Sequence, residues 1–302
     1  MLPTSIESVR RVWQGSGRVE PTVTMLRIQP LSPAIGVEIK GVDLSRLLDD
    51  ETFARIKSAW EENCIALFRG QSLDEMAQTR FASRFGTLGG AVNDFDPAKR
   101  GANPTILYVS NIRVDGKLTG VLPDGEMYFH TDQCYLERPA MASMLYAIEI
   151  PSRGGNTLYA NCFKAYETLP ADVKQRLKGK RALNAYDYDR APTLRADALP
   201  DGVKRFAHPI ARTHPATGRK SLYVNRLMTW SILDMAPDES RTLLEYLFEH
   251  QEQPEFVYEH KWAPGDLVLW DNRSCLHART DFDANERRRL RRVTVNGYVP
   301  YE

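Results

Sequence analysis

Arg287-Arg288-Arg289-Leu290-Arg291-Arg292-Val293-Thr294-Val295-Asn296 admits two readings, and the choice between them decides the fold. Five arginines in six positions read by default as a solvated basic run or a nucleic-acid patch. Val293 to Val299 is strand-like, however, and a strand extended backwards from it puts side chains 288, 290, 292 and 294 on one face. Positions 287, 289, 291 and 293 then share the other. If the first face is a barrel interior, Arg288 and Arg292 are buried cations about 13 Å apart along the strand, each costly without an anion. Guanidinium forks suit carboxylates and sulfonates in bidentate geometry. Inward orientation therefore predicts two anion sites close to one histidine.

The rest of the composition weighs against a general polyanion binder. Lys and Arg number 40 against 39 Asp and Glu, so no global field draws the chain to nucleic acid or anionic lipid. Cys64, Cys134, Cys162 and Cys275 stand far apart with no C-x-x-C pair, which removes zinc-ribbon and redox-motif readings and suits reduced thiols in a cytoplasm. No apolar run is long enough for a bilayer span, and the N-terminus has no hydrophobic signal core. The expectation is a cytoplasmic protein with no nucleic-acid or membrane partner. Residues 1–22, with Arg10, Arg11 and Arg18 among Gly, Ser and Pro, read as an N-terminal extension. Residues 23–302 then form one domain, since barrels and sandwiches of this size are often single units.

Along that domain the patterning is mostly β with flanking helices. Strands are expected around Leu26–Leu31, Ile35–Ile39, Cys64–Phe68, Thr105–Val109, Ala142–Ile150, Thr157–Tyr159, Asp266–Asp271 and Cys275–His277, with a hairpin over 212–225. Helical spacing covers Asp49–Asn63, Phe163–Leu169, Pro170–Lys178 and Pro237–His250. Ser72-Leu73-Asp74-Glu75 has the capping-box form, with Met76, Phe81 and Phe85 as the apolar stripe behind it. Two irregular stretches, near 87–125 and 180–207, read as surface excursions or lids. Many strands without regular βα alternation argue for a barrel or sandwich with helices outside.

Met127-Tyr128-Phe129-His130-Thr131-Asp132-Gln133-Cys134-Tyr135 supplies half of a metal site. In extended chain, residues i and i+2 project to one face about 7 Å apart, so His130 and Asp132 could close on one ion. Taken singly, His130 reads as a hydrogen-bonded wall residue and Asp132 as a turn residue. A third ligand must come from elsewhere.

His130-x-Asp132, His277 about 145 residues later and Arg288 eleven residues beyond it resemble the iron(II)- and 2-oxoglutarate-dependent dioxygenases of the taurine dioxygenase (TauD/TfdA) family. The likeness runs from about Met25 and includes Gly41-Val42-Asp43-Leu44, Leu67-Phe68-Arg69-Gly70-Gln71, Gly154-Gly155-Asn156-Thr157-Leu158, Arg212-Thr213-His214-Pro215 and Trp270-Asp271-Asn272-Arg273. The resemblance implies a double-stranded β-helix, or jelly roll. It implies that His130, Asp132 and His277 hold Fe(II) as a facial triad with three positions open to 2-oxoglutarate and O2. It further implies that Arg288 clamps the C5 carboxylate of 2-oxoglutarate, that Thr157 supports it, and that Arg292 pairs with a substrate anion. Family members often form homodimers or homotetramers, the assembly expected here.

Departures from the taurine enzyme bear on substrate. Ala91 and Asp94 stand where that enzyme has histidine and tyrosine for the sulfonate, and Glu126 replaces its asparagine. Taurine is therefore not the expected substrate. Tyr128, Phe129, Tyr135 and Phe95 would accept a bulkier apolar body, pointing to an aryloxyalkanoate, sulfonate or other small organic acid. The rival reading is a cupin-like metal-binding sensor or isomerase that does not use oxygen, which leaves the Arg288 spacing unexplained. His214 reads as structural, and His208, His250 and His260 carry no pattern that assigns a role.

Overall fold

The computed structural model describes residues 25–89, 103–121, 128–186, 199 and 201–302. The expected extension over 1–22, together with Ala91, Asp94, Phe95 and Glu126, lies outside the described residues. A seven-stranded sheet runs in the order Arg27–Pro30, Val37–Lys40, Ile65–Phe68, Leu267–Asp271, Ala140–Glu149, Arg289–Asn296 and Ile106–Ser110. Every neighbouring pair is antiparallel except Val37–Lys40 with Ile65–Phe68. A second, three-stranded antiparallel sheet consists of Val257–His260, Thr157–Asn161 and Cys275–Arg279.

Period-two alternation explains how the large sheet is covered on both faces. Leu267 and Leu269 pack with Phe53, Ile56 and Trp60 of the helix Asp50–Asn63 and with Phe81 of the helix Glu75–Ser83. Val268 and Trp270 point the other way, into a cluster with Tyr159 and Cys275 of the small sheet. A strand apolar at every position is what burial on both faces requires. The chain is thus mostly β, with two sheets sharing one core and helices on the outer face.

The arginine run obeys the same parity. Leu290 joins the inter-sheet cluster, while Val293 and Val295 face the helices. Arg291 turns with them and donates to Gln78 Oε1 at 2.7 Å and to the Leu73 carbonyl at 2.8 Å, pinning the helix Glu75–Ser83 to the sheet. Arg287 pairs with Glu149 at the surface. Arg288 and Arg291 are 2% and 5% exposed, so the run is divided between two interiors and is no solvated basic patch.

Three sequence expectations need correction. The helix Glu75–Ser83 is capped by Asp74, whose carboxylate accepts from the Ala77 amide at 2.6 Å. Ser72 is not the cap, since the helix begins only at Glu75, whose carboxylate accepts from the Tyr108 hydroxyl. Met76 is 69% exposed, and Ala77, Gln78, Phe81 and Ala82 form the buried stripe. The ends of the stretch 180–207 are not irregular: Arg181–Ala185 pairs in full register with Arg205–Pro209 and also with Thr229–Ile232. That small sheet packs beneath the helices Cys162–Thr168, Ala171–Leu177 and Pro237–Gln251. No helix of the described residues is long and apolar enough to cross a membrane.

Candidate active site

His130 and His277 meet through an antiparallel bridge in which each amide donates to the other's carbonyl at 2.9 Å. Backbone pairing, and not side-chain chance, therefore sets the two imidazoles together, with ring centroids 4.2 Å apart. The chain turns directly afterwards, Gln133 taking φ 59°, which brings Asp132 Oδ1 to 3.8 Å from His277 Nε2. One ligand atom from each of the three buried residues lies within 4.8 Å of the others.

Protonation states follow from the partners. His130 Nδ1 is 2.9 Å from the Tyr128 carbonyl, which can only accept, so Nδ1 carries a proton and Nε2 is the ring nitrogen left to serve as a ligand. His277 Nδ1 is buried with no hydrogen-bond partner among the described residues. Burial, then the neighbouring His130, holds the His277 pKa well below its usual value, leaving the ring neutral. For Asp132 burial is the largest single effect and opposes ionisation, but Arg292, the two histidines and Ser143 together outweigh it, and the carboxyl sits far below its ordinary range. The nearest of these groups is Arg292, whose Nη2 lies 2.6 Å from Asp132 Oδ1. A neutral His277 beside an ionised Asp132 suits a metal ligand set, and two histidines with one carboxylate fit a divalent iron-type ion with open positions.

His130, Thr157, His277, Arg288 and Arg292 line one cavity. The expected anion-binding face of the strand Arg289–Asn296 and the expected metal ligands thus share a single space. Arg288 is oriented from behind: its Nε donates to the Gly155 carbonyl at 3.1 Å. Gly155 has φ 62°, and a Cβ there would come within 3.0 Å of that same Nε, so this turn position requires glycine. Thr157 Oγ1 accepts from Trp262 Nε1 at 3.0 Å.

Asn272, Ser143 and Trp262 went unassigned on sequence grounds. The signal for Ser143 was present, since a lone serine at an interior-parity position of an apolar strand asks for a polar partner. His214 is structural as expected, placed 3.0 Å from Asp271 Oδ2 and away from the cavity.

Two facing sheets with a buried His, Asp and His set and inward arginines define the class of non-haem metal oxygenases with a facial triad. The chain belongs to the taurine catabolism dioxygenase TauD, TfdA family, whose model matches residues 27–294. Among relatives, it is 34% identical to pentalenolactone F synthase of Streptomyces avermitilis over 87% of this chain and 91% of that protein. It is 33% identical to the alpha-ketoglutarate-dependent 2,4-dichlorophenoxyacetate dioxygenase of Cupriavidus pinatubonensis, over 88% of this chain and 96% of that protein. The crystal structure of AAD-2 in complex with Mn(II) and N-oxalylglycine superposes with a TM-score of 0.76 at 30% identity, covering 91% of this chain and 99% of that one. The protein is a 2-oxoglutarate-dependent dioxygenase using Fe(II), 2-oxoglutarate and O2. The sensor or isomerase reading gives way to this assignment.

Proposed function

We propose that this enzyme hydroxylates a carbon next to a heteroatom in a small organic anion of aryloxyalkanoate type, and not taurine, the product then collapsing to release the heteroatom fragment. The observation that carries the reading is the placement of Arg288 and Arg292, either side of buried Leu290, in the cavity that His130 and His277 also line. In this reading His130, Asp132 and His277 hold Fe(II) within a double-stranded β-helix. Bound there, the iron would supply the chemistry by which O2 puts one oxygen atom into succinate, with loss of carbon dioxide from 2-oxoglutarate, and the other into a substrate C–H bond.

The protein's own groups divide the remaining work. Arg288 and Thr157 bind the distal carboxylate of 2-oxoglutarate by charge-assisted hydrogen bonds. Trp270 and Leu145 wall the cavity and keep water from it. Arg292, whose Nη2 lies 2.6 Å from Asp132 Oδ1, would orient the substrate anion from the cavity wall. The similarity to the 2,4-dichlorophenoxyacetate enzyme supports an aryloxy acid, and four buried free thiols support a reducing cytoplasm.

Succinate release from 2-oxoglutarate with Fe(II) and ascorbate, measured across aryloxyalkanoates, alkyl sulfonates and taurine, tests the substrate class. Stimulation greatest with an aryloxyalkanoate is expected, and greatest stimulation by taurine would refute it. Arg288→Ala should abolish measurable 2-oxoglutarate binding, while Arg292→Ala should retain it and lose substrate stimulation.

A further inference from the structure

The side chains behind Asp132 form a relay in which every proton can be assigned. Asn272 Oδ1 lies 3.0 Å from Trp270 Nε1, 3.3 Å from the Asp132 amide and 3.4 Å from Thr131 Oγ1. The indole and the amide can only donate, so the Asn272 oxygen must face them and its NH2 must point away. That NH2 donates to Ser143 Oγ at 3.2 Å. Ser143, its oxygen so engaged, donates its one proton to Asp132 Oδ2, an ionised carboxylate oxygen that can only accept. Ser143, Asn272 and Trp270 are each 1% exposed or less, so water does not compete for these bonds.

The consequence falls on the two oxygens of Asp132. Oδ2 is capped from the core, whereas Oδ1 faces His277 Nε2 at 3.8 Å and Arg292 Nη2 at 2.6 Å. A carboxylate oxygen has two lone pairs, so Oδ1 can serve Arg292 and a cation together. Resting on the assignment of the triad as metal ligands, we infer that Ser143, held by Asn272, is a positioning residue that makes Asp132 a one-oxygen ligand. Chelation by both oxygens would occupy a position that 2-oxoglutarate or oxygen needs. The Ser143 bond anchors Oδ2 toward the core and leaves Oδ1 as the oxygen that faces His277, and this orientation keeps that position open.

Ser143→Ala tests this with binding alone. Mn(II) affinity, followed by the loss of the free-ion electron paramagnetic resonance signal, should fall about 10- to 100-fold. With Mn(II) saturating, 2-oxoglutarate affinity measured by calorimetry should also fall, which a merely loosened core would not cause. Equal Mn(II) affinity in the variant and the wild type, or an undiminished 2-oxoglutarate affinity at saturating metal, overturns the inference. A wild type that binds no Mn(II) would instead overturn the metal site itself. A second measurement needs no variant: infrared difference spectra of 13C-aspartate-labelled protein on metal addition should show the wide carboxylate splitting of one-oxygen binding. The narrow splitting of a chelating carboxylate would sink it.

Discussion

Two buried clusters in this protein are built from nearly the same parts, and they lie back to back on consecutive residues. His130, His277 and Arg292 line the cavity with Asp132 against Arg292, while His214, Asp271, Arg273 and Glu61 form a second cluster. Asp271 serves the second cluster and its neighbour Asn272 braces the first. In the rear cluster every acceptor is used: Asp271 Oδ1 takes Arg273 N and Nε at 2.8 Å, and Oδ2 takes Arg273 Nη2 at 2.6 Å and His214 Nε2 at 3.0 Å. Its carboxyl, despite burial, is held far below the usual range by Arg273 and these bonds. The front cluster is braced largely by groups outside it: Tyr128 holds His130, Ser143 holds Asp132 Oδ2, Gly155 holds Arg288 and Trp262 holds Thr157, while Arg292 holds Asp132 Oδ1. Residue types do not separate a ligand site from an ion cluster; the direction in which their lone pairs remain available does.

Asp132→Ala should show the largest effect and the sharpest contrast. Metal-dependent turnover should vanish, and Mn(II) affinity should fall by more than the roughly 10- to 100-fold that a supporting residue is worth. The stability loss should be smaller than for the equivalent change at Asp271, because the Arg292 side chain is 14% exposed to the cavity and Arg273 only 3%. Urea denaturation of the metal-free proteins measures the second quantity. A greater loss for Asp132→Ala would mean that the front cluster is as structural as the rear one.

Asp271→Asn should reverse the pattern. Leaving Arg273 buried without its main counter-charge should cost about 3 kcal/mol, with Mn(II) affinity of the folded protein changed only severalfold. The pH sign follows from the depressed folded pKa: the Asp271 contribution is complete above the unfolded value of about 3.9 and fades as pH falls through the lower folded value. The variant should therefore lose stability at pH 7 and show a flatter acid limb than the wild type.

The contrast was partly legible in the sequence. His130-x-Asp132 and the alternation of Arg288, Leu290 and Arg292 speak through period two, a rule the backbone enforces whatever the rest of the chain does. His214, inside a hairpin turn, was likewise readable as structural. Ser143 carried a signal as a lone serine in an apolar strand, but its role and that of Asn272 were not legible, because a polar core residue gains its meaning from a partner 129 positions away. Nor were the paired strands Arg181–Ala185 and Arg205–Pro209, whose alternation is diluted by Asn184 and His208 and which are fixed by long-range pairing. Asp74, and not Ser72, caps the helix, and Glu75 bonds to Tyr108, a residue distant in sequence.

Trp262→Phe probes the bracing of the front cluster at smaller scale. The indole N–H removes the orientation in which the Thr157 proton would face the core, favouring donation toward the cavity. Losing it should raise the 2-oxoglutarate Kd about three- to tenfold at unchanged Mn(II) affinity. In a Thr157→Val background the same change should have little effect. Additive losses would show that Trp262 acts through packing and not through the hydroxyl.

Thr217→Val is the smallest perturbation and tests whether the two clusters are independent. His214 Nε2 donates to Asp271, so Nδ1 must accept, and it does so from the Thr217 hydroxyl at 3.1 Å and the Thr217 amide at 3.3 Å. Deleting the hydroxyl leaves the amide in place and deprives the Arg219 amide of its acceptor, so about 1 kcal/mol of stability should be lost. Turnover and Mn(II) affinity should not move, because no lone pair facing the cavity is touched. A fall in Mn(II) affinity exceeding twofold would instead show that strain in the rear cluster passes from Asp271 to Asn272 and on to the carboxylate of Asp132. The two clusters would then be one device, and the separation drawn between them would fail at the peptide bond that joins them.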